Sequence, residues 1–315
     1  MEAKEKHHRL RLGMTAVLAL LLTTGLSFQH LNAQALDRAE RTPPSASPAT
    51  PTPSATTPRR ISSTSKEQQV LDKIKSSQLK AGCKLDMLAT EVAPSLGTCN
   101  ILIVGDSIGN NLSVGIKSQL GGTKGVIINS RSKPSTGLSN SWFYNWPKEF
   151  KKMLNQYKPN LVIVMLGAND HQNMKIGSKV ISFGTKTWNA KYASYMREIT
   201  GMATAAGAYL TWVGLPVMRP ASYAKAMTQL NAIYEDVATH ETGVSYVDTK
   251  NYFADSRGKF RAWANVNGKR SKIRGDDGIH FASAGQPVLG TYVIDQLKLI
   301  FHVKIPAKSP KRITG

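Results

Sequence analysis

A serine, a glycine, an asparagine and an Asp-x-x-His pair follow one another along this chain, each of a type that acyl transfer uses. Ser107 lies in Val104-Gly-Asp-Ser-Ile-Gly109, just after an apolar run. A serine at a tight strand-to-helix turn is lifted into the open, and the helix N-terminal amides beside it can stabilise an oxyanion. A serine so placed can also simply cap the helix that follows. Asp277-Gly-Ile-His280 sets a carboxylate three residues before a histidine. Within one loop that carboxylate can reach Nδ1, fix the tautomer and stabilise the imidazolium as it takes a serine proton. A structural Asp–His pair at a helix start has the same spelling. Beyond residue 35 the histidines are His171, His240, His280 and His302. His302 adjoins a basic tail, and His240 ends a helical pattern like a C-terminal cap. His280 and His171 remain as candidate general bases.

Asn169, in Gly167-Ala-Asn-Asp170, follows another apolar run. Its side-chain N–H can donate to an oxyanion, although Asn-Asp also makes ordinary turns. Gly137 ends the polar loop Ser130-Arg-Ser-Lys-Pro-Ser-Thr-Gly137 and allows a backbone N–H to approach a substrate closely. Trp142, Phe143, Tyr144 and Trp146 follow that loop. Such rings stack on sugars or fill a core or lid, and Trp146 is the candidate substrate contact among them. His171 is placed to line the same pocket or to face solvent. Arg219 suits an acidic substrate group or loop packing. No H-E-x-x-H and no cysteine cluster spells a metal site.

The elements that must carry these groups alternate. Apolar runs at Ile101–Val104, Gly125–Ile128, Leu161–Leu166 and Tyr209–Val213, with a weaker one at Val244–Asp248, suit strands covered on both faces. Helical patterns fall at Asn110–Leu120, Pro147–Tyr157, Trp188–Ala206, Tyr223–His240 and Ala284–Ile300. This alternation predicts a three-layer α/β/α sandwich on a mostly parallel five-stranded sheet, with ligands beyond the carboxyl ends of its strands. Gly105–Gly109 also matches the G-x-S-x-G elbow of α/β-hydrolases. That reading fails because only a tether and one short helix precede the first strand, and because the acid and the histidine share a loop.

The order Ser, Gly, Asn, Asp-x-x-His, each after a strand or before the last helix, resembles the SGNH (GDSL-type) hydrolase family across about Ile101 to Leu299. Lys133-Pro-Ser-Thr-Gly-Leu138, Asn145-Trp-Pro147, Gly167-Ala-Asn-Asp-His-Gln172, Phe183-Gly-Thr-x-x-Trp188, Trp212-Val-Gly-Leu-Pro-x-Met218 and Asp277-Gly-Ile-His-Phe281 look like an exported bacterial branch of it whose function is largely unassigned. The resemblance implies a flavodoxin-like fold. It implies Ser107 as nucleophile, His280 as base and Asp277 as its orienting acid. The Ser107 and Gly137 amides and the Asn169 side chain would form the oxyanion hole. Family members cleave or transfer ester-linked acyl groups, often O-acetyl groups on glycans, without a metal or organic cofactor. The resemblance thus implies an esterase, with two rivals: an O-acyltransferase using the same acyl-enzyme, and a basic binding protein that has lost catalysis.

The chain has 315 residues, 41% of them apolar, enough for one sizeable core and too few for a multi-span membrane protein. Lys4, Lys6, Arg9 and Arg11, the apolar Leu12–Phe28 and Ala33-Gln-Ala35 form the three parts of a secretory signal. Residues 1–35 are thus expected to be a signal peptide or an uncleaved signal anchor, and the remainder to be exported to the periplasm. Residues 36–66 read as a Pro/Ser/Thr-rich tether, 67–303 as the hydrolase domain opening on a short helix at Gln69–Lys75, and 304–315 as a tail whose stretch Lys304–Arg312 is a disordered basic arm. In an oxidising compartment Cys83 and Cys99, the two cysteines, are expected to be bridged. The net charge is +21, and +19 remains past residue 35 because four Lys/Arg and two Asp/Glu precede it. Outside the cytoplasm that field favours an anionic envelope polymer and an acylated glycan as partners, not nucleic acid.

Overall fold

A computed structural model describes residues 99–301 and 309–314. The expected signal and tether at 1–66, the helix at Gln69–Lys75, Cys83 and His302 lie outside these residues.

The chain enters through β1 (Cys99–Gly105), α1 (Ser107–Leu120), β2 (Val126–Ser132), α2 (Trp146–Tyr157) and β3 (Leu161–Met165). A hairpin follows, β4 (Met174–Ile176) with β5 (Lys179–Ile181), then α3 (Lys186–Ala205), β6 (Tyr209–Val213), α4 (Ala221–His240) and β7 (Val244–Val247). The short α5 (Lys250–Phe253), a second hairpin of β8 (Trp263–Val266) and β9 (Lys269–Lys272), and α6 (Gly285–Phe301) complete it. The central sheet runs β2-β1-β3-β6-β7 and every pairing in it is parallel. All residues of β3 and β6 are buried, as continuous apolar runs require, whereas no residue of β2, at the edge, is fully buried. Helix α1 packs on α6, and α2 on α3 and α3 on α4. The expected three-layer α/β/α architecture is present.

Caps explain several of the recurrent blocks. Asn145 Oδ1 accepts from Lys148 N at 3.0 Å and Pro147 opens the first turn, so Asn-Trp-Pro starts α2. Thr185 Oγ1 accepts from Trp188 N at 3.2 Å and starts α3 two residues before the pattern suggested.

Three expectations need correction. Strand β2 runs on through Ser130-Arg-Ser132, which the polar spelling had suggested was loop. Ser130 pairs with Ile103 and Arg131 with Val104, which an edge strand tolerates because one side faces water. The two hairpins were not expected at all. Finally, the tail is not a free arm over residues 309–314. Asn267 N donates to Arg312 O at 3.0 Å and Thr314 N to Asn265 O at 2.8 Å, adding Ile313 as an antiparallel bridge beside Val266. Among the described residues no helix is long and apolar enough to cross a membrane.

Candidate active site

The site is built where β1 and β3 end side by side. Chain direction diverges at β1, whose neighbours are β2 and β3, and such a switch point opens a crevice beyond the strand ends. Ser107 is the first residue of α1. Gly105 and Gly109 flank it because the Met165 carbonyl presses in; an added Cβ would lie 1.9 Å and 2.5 Å from that oxygen, respectively. The glycines in Gly-Asp-Ser-Ile-Gly therefore serve close strand-to-turn packing.

His280 comes from the loop before α6. Its Nε2 lies 2.7 Å from Ser107 Oγ and its Nδ1 2.5 Å from Asp277 Oδ2. Asp277 Oδ1 meanwhile accepts from Ile279 N at 2.8 Å and His280 N at 3.0 Å, so one carboxylate closes the turn and holds the ring. Partial burial pushes the Asp277 pKa up, but the bonds from the His280 ring and the two amides outweigh it and bring it down to about 2. Asp277 is therefore ionised at neutral pH. Asn111 Oδ1, on α1, accepts from Phe281 N at 3.0 Å and ties the histidine loop to the serine helix.

Asn169 and Gly137 lie on either side of one hydrogen bond. Asn169 Nδ2 donates to Thr136 O at 2.9 Å, the carbonyl of the same peptide group that carries the Gly137 amide, and stands 3.5 Å from Asp106 Oδ2 beside Ser107. The Gly137 loop is pinned by Asp170. Its carboxylate accepts from Leu138 N at 3.0 Å, Ser139 N at 2.8 Å, Ser139 Oγ at 2.7 Å and Tyr192 Oη at 2.8 Å. A Cβ on Gly137 would lie 2.0 Å from Asp170 Oδ1, so no larger residue fits there. The amides of Ser107 and Gly137 donate to no group among the described residues.

The structure adds three residues that sequence reasoning did not single out. Asp106 is fully buried and joins the serine turn to the asparagine turn: Oδ1 accepts from Ile108 N at 3.0 Å, and Oδ2 from Gly167 N at 2.9 Å and Ala168 N at 2.8 Å. Burial pushes its pKa up to about 6 despite those amides. Asp170 is the second; burial raises its pKa too. Arg274 is the third, buried and donating to Val217 O at 2.9 Å and Ile279 O at 2.8 Å. Burial lowers its pKa to about 10, which leaves it charged. It holds the Asp277–His280 loop from below.

The expected substrate contacts fare differently. Trp146 is 1% exposed and cannot stack on a sugar. It is instead a strut: Nε1 donates to Thr136 Oγ1 at 3.0 Å, under the Gly137 loop. The exposed rings of that cluster are Trp142, at 75%, and Phe143, at 51%. Arg219 Nη1 donates to Asp276 O at 2.9 Å and the guanidinium covers the Phe260 ring, so it braces the loop of the acid. His171 packs on Tyr223 at a centroid distance of 4.0 Å and makes no bond to Ser107. Among the described residues no cluster of three His, Cys, Asp or Glu is placed to hold a metal ion.

A family model described as protein of unknown function (DUF459) matches residues 100–296. No curated protein matches the chain. Among solved structures, the chain is similar to a GDSL-like lipase from Bacteroides thetaiotaomicron, with 12% identity, 73% of this chain and 98% of that one covered, and a TM-score of 0.46. It is similar to a catalytic mutant of the acetylxylan esterase Axe2 from Geobacillus stearothermophilus, with 13% identity, 65% and 96% covered, and a TM-score of 0.47. A third is the psychrotrophic esterase EstA from Pseudoalteromonas sp., with 15% identity, 64% and 98% covered, and a TM-score of 0.43.

Proposed function

We infer that this chain, which belongs to the DUF459 family, is a serine esterase that removes O-acyl groups, foremost O-acetyl, from an envelope glycan. The observation that carries the reading is the continuous chain Ser107 Oγ, His280 Nε2, His280 Nδ1, Asp277 Oδ2, at 2.7 Å and 2.5 Å. Oγ attacks the acyl carbon while Nε2 takes its proton, and ionised Asp277 stabilises the imidazolium. The carbonyl oxygen becomes an oxyanion. The Ser107 and Gly137 amides are its donors, together with the second Asn169 N–H, whose 3.5 Å contact to Asp106 is too long to hold it. The imidazolium returns its proton to the departing sugar oxygen, leaving an acyl-enzyme. Water, deprotonated by His280, then attacks that ester, and carboxylate and free serine result. Export to the periplasm, by a cleaved signal or an N-terminal anchor, and the choice of a glycan rest on the signal-like first 35 residues and the basic charge.

The deciding experiment treats the full chain with a fluorophosphonate probe and assays acetate release from an aryl acetate and from acetylated polysaccharide. Labelling lost in Ser107→Ala, with acetate released from both substrates, is expected. An unlabelled wild-type chain overturns the reading. Acetyl appearing on an added acceptor sugar in place of free acetate identifies a transferase.

A further inference from the structure

The stretch from Asp255 to Arg274 carries seven Lys/Arg against one Asp and includes the β8–β9 hairpin. Its pairing decides which side chains share a face. Trp263 lies opposite Lys272, and Asn265 opposite Arg270. Ala264 and Val266 are buried, so this set points outward, and Trp263 is 48% exposed. The Arg270 guanidinium stands 5.6 Å over the Trp263 ring, and neither Arg270 nor Lys269 has an acidic partner among the described residues. Strand β9 leads directly into the triad loop. Lys272 Nζ lies 2.5 Å from Asp276 Oδ1, and Asp276 adjoins Asp277.

We propose that this outer face binds an anionic polysaccharide and presents its acyl groups to Ser107. The proposal rests on the esterase reading for the second half of that statement only. Carboxylates of the polymer meet Arg270 and Lys272, and the C–H face of a sugar ring meets the Trp263 indole. The Lys272–Asp276 pair is an exposed one, held weakly, so Lys272 can exchange partners. A membrane would require several apolar side chains to insert, and a single-stranded nucleic acid a row of stacking rings; this face has one indole.

The test uses the full chain with Ser107→Ala, so that the polymer survives. Binding is measured to O-acetylated polygalacturonate, with acetylated neutral galactomannan, single-stranded DNA and phosphatidylglycerol vesicles as comparators. Polygalacturonate is expected to bind tightest and to weaken steeply with salt. Arg270→Glu should weaken it by about tenfold or more, and Trp263→Ala should weaken it without altering the salt slope. In the active chain both variants should keep aryl acetate turnover within about twofold of wild type. Polygalacturonate binding indifferent to Arg270→Glu overturns the proposal, as does equally tight binding of DNA or vesicles. If Trp263→Ala lowers Tm, Arg270→Glu alone decides. If wild type hydrolyses no ester, the esterase reading falls while these binding measurements still judge the face.

Discussion

Gly115 of α1 and Gly290 of α6 touch backbone to backbone: a Cβ on Gly290 would lie 2.2 Å from the Gly115 carbonyl carbon, and one on Gly115 2.0 Å from Gln286 O. Helix α1 begins with Ser107 and α6 follows His280, so this crossing helps set the distance between these two residues, the proposed nucleophile and base. Gly290→Ala should force the helices apart. Overpacking of this kind costs about 1–3 kcal/mol, and a misplacement near 1 Å can cost about 10²-fold in rate. We expect a lower Tm and a lower kcat on an aryl acetate together. Unchanged kcat with a lowered Tm would mean that the loop, not the helix crossing, positions His280.

Ser107→Ala and His280→Ala should each reduce kcat on an aryl acetate by about 10⁴-fold or more, because the proposed mechanism makes them one proton-transfer unit. The double variant should be scarcely worse than either single one. His171→Ala should retain turnover, since its ring packs on Tyr223. Inactive His171→Ala beside active His280→Ala would reverse the assignment of the base.

Asn169→Ala should lower kcat by about 10²–10³-fold with little change in KM, the signature of a donor acting in the transition state. The same side chain also ties down Thr136 O at 2.9 Å. Ser139→Ala removes one of the bonds that pin the loop to Asp170 but leaves Asn169 in place. It should cost much less. Equal losses in the two variants would make Asn169 a loop anchor instead of an oxyanion donor.

Two carboxylates tilt stability in opposite directions with pH. Asp277 falls to about 2 in the fold against about 3.9 in an unfolded chain, so its contribution is present above pH 4 and is lost as pH drops toward 2. Asp106 rises to about 6, so its contribution is present below pH 4 and is lost as pH climbs through 6. Urea midpoints between pH 2 and 7 read both. Asp277→Asn should flatten the acid limb and Asp106→Asn the limb from 4 to 6. Asp106→Asn should also lower kcat, because an amide N–H would then oppose the donors Ile108 N, Gly167 N or Ala168 N.

The chemistry was more legible in the sequence than its supports. Ser107, Asn169 and the Asp277–His280 pair announce themselves through local spacing at strand and helix ends. Asp106 and Arg274 do not, because their partners are backbone groups from distant segments: Gly167 N is 61 residues from Asp106 and Val217 O is 57 from Arg274. The ring of Trp146 could not be told from that of Trp142 by position, since a dense aromatic run does not reveal which ring faces inward. The five strands of the central sheet were plain because apolar runs mark at least part of each, although the polar end of β2 was not. The β8–β9 hairpin was missed because Lys269-Arg-Ser-Lys272 has no apolar alternation. Its one signal was Asn267-Gly268, both at positive φ, 49° and 82°, the mark of a two-residue hairpin turn.

The docked tail changes what truncation should do. Residues 309–314 share five hydrogen bonds with Asn265, Asn267 and Gly268 of the hairpin and one each with Tyr252 and Thr291, and the Arg312 Nε to Asp295 Oδ2 bond at 2.9 Å fastens them to α6. Each neutral bond is worth about 1 kcal/mol net, and the exposed ion pair adds little. Losing them should cost roughly 5 kcal/mol, or about 10–20 °C in Tm for a domain of this size. The effect should also travel. Strand β9 runs into Arg274, which holds the loop of Asp277 and His280, so loosening the hairpin should loosen His280. Removal of residues 309–315 should therefore lower kcat on a small neutral ester several-fold, whereas Arg312→Ala alone should scarcely affect it. Full small-ester activity and unchanged Tm in the truncated chain would show that the tail rests on the hairpin without supporting it.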